Sequence, residues 1–352
     1  MVSFKKYFTH RVRSSLILTL VLCLLAVIII QFSVSIYMAN DNVWYDDDGN
    51  ILDKPIEVRR LRIHNFGTVA FILGAICTVA PVLELSGFKN KRNADTLYAL
   101  PVSRQKVALA HYLSGLLQIF AVYTCAYISL AVCIFTSDYV SELTSVTPFI
   151  LCYFVLLIIG AGVYSIFTAI FNAANTVPDG CLFIAVWSVL PALFAIALIE
   201  FDANTDFIIL RDFGAEFNEE MFMPHAALNI VNYFYSKLIG TNAGKYYIGY
   251  SIFWTAVGAL LAVVYFLTFQ KKRAEEIGEH SNTVFGYKVL IPIGLFSMTQ
   301  AVDDKLISAI LGILMAVVGY MLYRRSFKIK RNDLIVIAAI VAFTSISMSV
   351  LG

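Results

Sequence analysis

Charge is what this 352-residue sequence has least of. Asp, Glu, Lys and Arg make up 14% of it, where soluble domains carry roughly 25%, too little to coat a water-facing surface. Apolar runs of about twenty residues recur instead, the length that crosses a bilayer. The composition excludes an ordinary soluble domain and implies an all-α, polytopic helical membrane protein. No extended basic face exists outside the loops, which excludes nucleic acid as a partner.

The motifs of site chemistry are also scarce. The six cysteines, Cys23, Cys77, Cys125, Cys133, Cys152 and Cys181, lie in or at the ends of apolar runs. None forms a CxxC pair or sits at ligand spacing from a His, so they read as small buried hydrophobes, with neither a disulfide framework nor a metal site expected. No HExxH helix and no His–Asp or Asp–Asp set occurs inside the apolar runs. A P-loop needs G-x-x-x-x-G-K-[ST] so that backbone amides cradle phosphate. Residues 240–245 come nearest, but they are one residue short and Tyr246 follows Lys245. No nucleotide site and no cofactor is expected in this chain.

What is present is a series of apolar runs at about 16–38, 66–85, 105–136, 147–171, 181–200, 248–269, 289–302, 306–323 and 334–352. The first is too long for a signal-peptide core and no A-x-A site follows it, so it reads as a retained span. The run 289–302 reaches roughly 21 Å at about 1.5 Å per residue, short of a core of about 30 Å. It either re-enters or extends back through Phe285. Charge sets the parity. With nine crossings and the N-terminus in the cytoplasm, the inner segments 1–15, 86–106, 172–180, 270–288 and 324–333 hold 18 Lys and Arg, and the outer segments hold 8. Acidic residues run the other way. Without a crossing at 289–302 the cluster Arg324, Arg325, Lys328, Lys330 and Arg331 would lie outside, against the positive-inside rule. Nine spans are expected, with the last helix ending at the outer surface or the native chain continuing beyond it. Of the outer segments, 39–65 is acidic and turn-rich. The segment 201–247 carries Phe222, Tyr233, Phe234 and Tyr235, a pattern for helices lying at the membrane surface.

Two polar residues touch the apolar runs. His111 lies within two turns of Arg104 and Lys106, which suggests an interfacial position. Glu84 ends the second run, where it can cap or pair locally with the basic stretch that follows.

That stretch, KNKRNADTLYALPVSR at 89–104, is the most informative in the chain. Asn90 or Asn93 can cap a short helix with Lys91 and Arg92 exposed, and Leu97, Tyr98 and Leu100 form one apolar edge. Pro101 stops that helix and Ser103 can cap the next. The plain reading is a connector obeying the positive-inside rule. The other is a docking knob, because an exposed Leu–Tyr–Leu edge needs something to pack on.

The stretch resembles the cytoplasmic coupling segment of ABC-2-type transporter permeases, closest to the low-GC Gram-positive branch. Lys91, Arg92, Asp95, Tyr98, Leu100, Pro101, Ser103 and Arg104 carry the resemblance, with Ala99 where the family usually has Ser. A second similarity lies in KKRAEEIGEHSNTVF, at Arg273, Glu276, Gly278 and Phe285. The resemblance implies a six-helix permease core over 1–288, with a coupling helix at 90–101 and the outer segment at 201–247. The three spans in 289–352 exceed the family plan. It also implies a bacterial plasma-membrane location and a second permease, as a copy or a relative. Cytoplasmic ATPase subunits holding ATP-Mg would grip Lys91, Arg92, Asp95, Leu97, Tyr98, Leu100, Pro101 and Arg104. Membrane lipids would surround the bundle, and the transport direction would be export. Two alternatives stay open. One is a sensor or immunity protein that binds a ligand through its outer segments. The other is a polytopic membrane enzyme, which lacks a visible catalytic cluster.

Overall fold

The computed structural model describes residues 4–40, 63–93, 102–136, 146–205, 219–238, 244–300 and 305–351. Every regular element among them is helical. The α-helices are α1 (Phe4–Asn40), α2 (Ile63–Leu85), α3 (Arg104–Thr136), α4 (Thr147–Ala173) and α5 (Val177–Thr205). After them come α6 (Ile230–Leu238), α7 (Tyr246–Lys271), α8 (Tyr287–Gln300), α9 (Lys305–Arg324) and α10 (Arg331–Leu351). Among the described residues seven helices, α1 to α5, α7 and α9, are long and apolar enough to cross a bilayer. This is the architecture of a multi-pass helical membrane protein. The run expected at 289–302 is α8, a helix of 14 residues.

The chain divides into two compact units. The first comprises Met1–Glu84, Pro101–Ile166 and Ala227–Phe266. Here α1 runs antiparallel to α2, with Arg11 on Glu84 at one end and Ser33 on Thr68 at the other. It runs parallel to α3, from Tyr7–His111 to Gln31–Ser129. Tyrosines zip α3 to α4 in antiparallel register: Tyr112 bonds Ser165 at 2.6 Å, and the Tyr127 hydroxyl donates to the Phe149 carbonyl at 2.6 Å. In a bilayer these hydroxyls have no water to fall back on, so each finds a partner on the facing helix. The opposite face of α1 presents Ile17, Leu20, Leu24, Ile28 and Phe32 outward, the apolar surface that lipid tolerates.

The second unit comprises Leu85–Leu100, Phe167–Ala226 and Leu267–Gly352. Its helices α8 and α9 are an antiparallel pair. Gly294 faces Met315, Gly312 faces Leu295 and Thr299, and Gly319 faces Ile291. The small residues let the two backbones approach closely. Two caps set the ends of its helices. Thr176 accepts the Asp179 N–H at 3.2 Å to start α5. Asp333 reaches back to the Lys330 N–H at 3.1 Å to start α10, one arm of a capping box.

Of the segment 201–247, the described parts include turns at Glu219–Phe222 and Pro224–Asn229 and the amphipathic helix α6. Ile230, Val231 and Phe234 of α6 are buried. Residues 206–218 and 239–243 lie outside the described residues, as does most of 39–65.

Candidate functional site

In the second unit the basic stretch begins as the sequence predicts. A 3₁₀ turn at Ser86–Lys89 carries the chain to Asn90. The Asn90 side chain accepts the Arg92 N–H at 3.1 Å, and its carbonyl accepts the Asn93 N–H at 3.0 Å. Asn90 therefore caps the helical residues 91–93, which leave Lys91 and Arg92 exposed. Asp95, Leu97, Tyr98, Leu100 and Pro101 lie outside the described residues. In the first unit Ser103 stands just before α3, its carbonyl accepting the Val107 N–H at 3.1 Å, and Arg104 opens the helix at an exposed position.

Lys89 departs from the expectation of a solvated loop charge. It is buried, and its Nζ donates to the carbonyls of Asn172 and Ala174. Lys272, just past α7, donates to the same two carbonyls. These carbonyls end α4, where the helix has no N–H of its own to satisfy them and carries partial negative charge. Phe88 meets Phe269 edge to face at 5.2 Å, and Lys89 lies over the Phe171 ring. The Lys89 amine therefore sits in a lid of aromatic carbon.

Burial pushes the Lys272 ammonium down to about 8, while the nearby Lys89 amine and Glu276 carboxylate favour its proton. An unfolded lysine holds its proton to about 10.4. Below pH ~8 both states are protonated and the fold carries the burial penalty. Between about 8 and about 10.4 only the unfolded chain keeps the proton, so this group's contribution to stability rises with pH across that window. Thermal unfolding of wild type and Lys272→Met in detergent, stepped through the window, is expected to show this rise in wild type and a flatter profile in the variant.

Residues around Gly278 extend the same floor. Gly278 has φ +86 and its N–H donates to the Asn175 carbonyl at 3.3 Å. A Cβ there would come within 2.5 Å of Lys91 Cε, so the stem of Lys91 crosses directly over the glycine. The Asn175 N–H donates to Ser281 Oγ at 2.9 Å, and Ser281 donates to Asp179 Oδ2 at 2.9 Å. The Tyr287 hydroxyl donates to Asp179 Oδ1 at 2.8 Å. Arg325 approaches Asp179 at 3.6 Å and donates to the Gly278 carbonyl at 2.6 Å. Trp187 donates to the Phe285 carbonyl at 3.0 Å. Described parts of 86–93, 172–180, 270–288 and 324–333 are thus joined by side-chain contacts.

In the first unit a carboxylate ties three helices together. Glu84 is buried near the end of α2. Its Oε2 accepts from Arg11 Nε at 2.8 Å and meets His111 Nδ1 at 3.0 Å, and its Oε1 accepts from Ser114 at 3.0 Å and from Gln118. Tyr7 bonds His111 Nε2 at 2.9 Å. Glu84 thus pairs with α1 and α3, where the sequence suggested the adjacent basic stretch. His111 is 3% exposed, packed against α1 and α2 through both ring nitrogens. The roles of Tyr7, Arg11, Ser114 and Gln118 were not anticipated. A signal was available for three of the partners: positions 111, 114 and 118 repeat at i, i+3, i+7 and draw one polar stripe along an apolar helix.

Among the described residues no three His, Cys, Asp or Glu side chains gather as metal ligands. No family model, no curated protein and no solved structure matches this chain at a significant level.

Proposed function

We propose that this chain is the membrane-spanning subunit of an ATP-binding cassette transporter of the ABC-2 type, driven by a separate ATPase that docks on residues 90–101. The observation that carries the reading is spatial. The two stretches that bear the family resemblance lie about 170 residues apart in sequence, yet Lys91 crosses Gly278, and Lys89 and Lys272 share the carbonyls of Asn172 and Ala174. A knob that transmits force needs a base that cannot yield. Two buried lysine side chains clamped on one helix end, inside aromatic packing, make such a base.

In this reading Tyr98 and Leu100 pack into a groove of the ATPase, while Lys91, Arg92 and Arg104 contact its charges. Closure of the ATP-Mg-loaded ATPase pair pushes the knob. The clamp at Lys89 passes the push to the end of α4 as a rigid-body shift, and the spans move between inward- and outward-open states. The chain itself catalyses nothing. Nine spans follow, with six in a core over 1–288 and three beyond it, the N-terminus in the cytoplasm of a bacterial cell. A second permease completes the assembly, and the direction is export. The run of α8 away from the Gly278 floor and the return of α9 to it, where Arg325 bonds Gly278, support this parity.

The test is a mild-detergent pull-down from native membranes with partners identified by mass spectrometry. A P-loop ATPase is expected to co-purify. Tyr98→Asp with Leu100→Asp is expected to abolish that association while leaving the protein folded and monodisperse. Unchanged co-purification of the double variant would refute the docking assignment.

A further inference from the structure

The connection between α9 and α10 is built to hold a shape. Arg325, at φ +51, occupies the left-handed position that ends α9. Its N–H bonds the Leu322 carbonyl at 3.2 Å and the Ser326 N–H bonds the Met321 carbonyl at 3.2 Å. That is a Schellman closure with arginine where glycine is usual. The arginine is held there from its far end, on the Gly278 carbonyl at 2.6 Å. Arg324 grips Asp333 with two bonds of 2.6 and 2.7 Å across the turn. Ser326 Oγ accepts the Lys328 N–H at 3.3 Å.

Two of the five cations in this segment are thereby spent inside the fold. Lys328, Lys330 and Arg331 are exposed and make no ion pair with any described residue. Between them and α9 stands Phe327, 89% exposed. A rigid turn that presents a bare phenyl ring beside three uncommitted cations is costly in water.

Its depth explains it. The span Leu306–Arg324 covers 19 residues, roughly 28 Å at about 1.5 Å per residue, close to the hydrocarbon thickness of about 30 Å. The tip of a loop of about six residues lies within roughly 10 Å of that edge. That is the headgroup layer, where an aromatic ring meets acyl carbon while lysines meet phosphate.

We propose that the α9–α10 turn is a binding site for anionic phospholipid headgroups, with Phe327 seated in the bilayer interface and Lys328, Lys330 and Arg331 supplying the charge. The proposal requires only that α9 spans a bilayer and is independent of any ATPase. A basic residue near an anionic membrane surface is worth about a fivefold local enrichment of the lipid.

The test places the protein in nanodiscs and compares Phe327→Trp with wild type, so that the native tryptophans subtract. Because Phe327 packs against so little, the substitution leaves the fold intact. Half-quenching of the added indole is expected at an at least about fivefold lower mole fraction of brominated phosphatidylglycerol than of brominated phosphatidylcholine. Adding Lys328→Gln, Lys330→Gln and Arg331→Gln, which leaves the Arg324–Asp333 pair in place, should bring the two lipids together. Native mass spectrometry of the unsubstituted protein supplies a second readout, with phosphatidylglycerol retained in preference to phosphatidylcholine. Equal quenching by both lipids would overturn the proposal. Quenching by neither would overturn it too, and would place the turn in water, where a soluble protein becomes its partner.

Discussion

Replacing Glu84 with leucine is expected to cost about 3–5 kcal/mol, the range for removing one member of a buried ion pair. The substitution preserves bulk and removes the one acceptor on which Arg11, His111, Ser114 and Gln118 converge. The loss is larger than that of a single hydrogen bond, because buried donors left without an acceptor pay their desolvation in full. Arg11 softens it. Its side chain is 28% exposed, against 0% for Glu84, so the guanidinium can swing to the headgroups. The lower half of the range is therefore the better figure, and the thermal unfolding midpoint in detergent should fall on the order of 5 °C. Glu84→Gln should not rescue, since its amide turns two donors toward a ring of donors. Removing the charge from both sides, with Glu84→Leu and Arg11→Met, should recover part of the loss. An additive double variant would show that the pair is not coupled.

The long spans were legible because hydropathy over about twenty residues is a local property. So was the cap at Asn90, whereas α5 begins at Val177 under its Thr176 cap, four residues before the run expected at 181–200. Lys89 was not legible. In sequence it resembles Lys91, two positions on, yet one is buried on the end of α4 and the other exposed. The difference is made by Phe171, Phe269 and the carbonyls of Asn172 and Ala174, all remote in the chain. Arg11 was hidden for the same reason. It reads as one more cytoplasmic anchor until α1 is laid against α2, 73 residues away. Arg325 was hidden because a Schellman closure is recognised by its glycine, and here a bond from the arginine's own tip substitutes for that freedom. The apolar edge of the basic stretch, Leu97, Tyr98 and Leu100, rests on the sequence alone, and its partner experiment is decisive.

Gly258→Ala offers a second large effect, in which propensity and packing predict opposite signs. Glycine inside a helix costs up to about 1 kcal/mol relative to alanine, so by propensity the substitution should stabilise α7. Packing opposes it. A Cβ at Gly258 would stand 2.3 Å from the Gly162 carbonyl oxygen and 2.6 Å from its carbon, and one at Gly162 would lie 3.1 Å from Thr255 Cα. These neighbours are backbone, so no rotamer change relieves them and α4 and α7 must separate. Within a bilayer no hydrophobic force holds two helices together, and close van der Waals contact is most of what does. Overpacking costs typically about 1–3 kcal/mol, which outweighs the propensity gain. Gly258→Ala should therefore lower the unfolding midpoint, and Gly258→Val should lower it further. Gly249 lies on the same helix with nothing within 4 Å of its missing Cβ. There propensity acts alone, and Gly249→Ala should raise the midpoint. Two alanines nine residues apart on one helix should thus move stability in opposite directions, and a shift of the same sign from both would mean that α4 and α7 do not cross at Gly162.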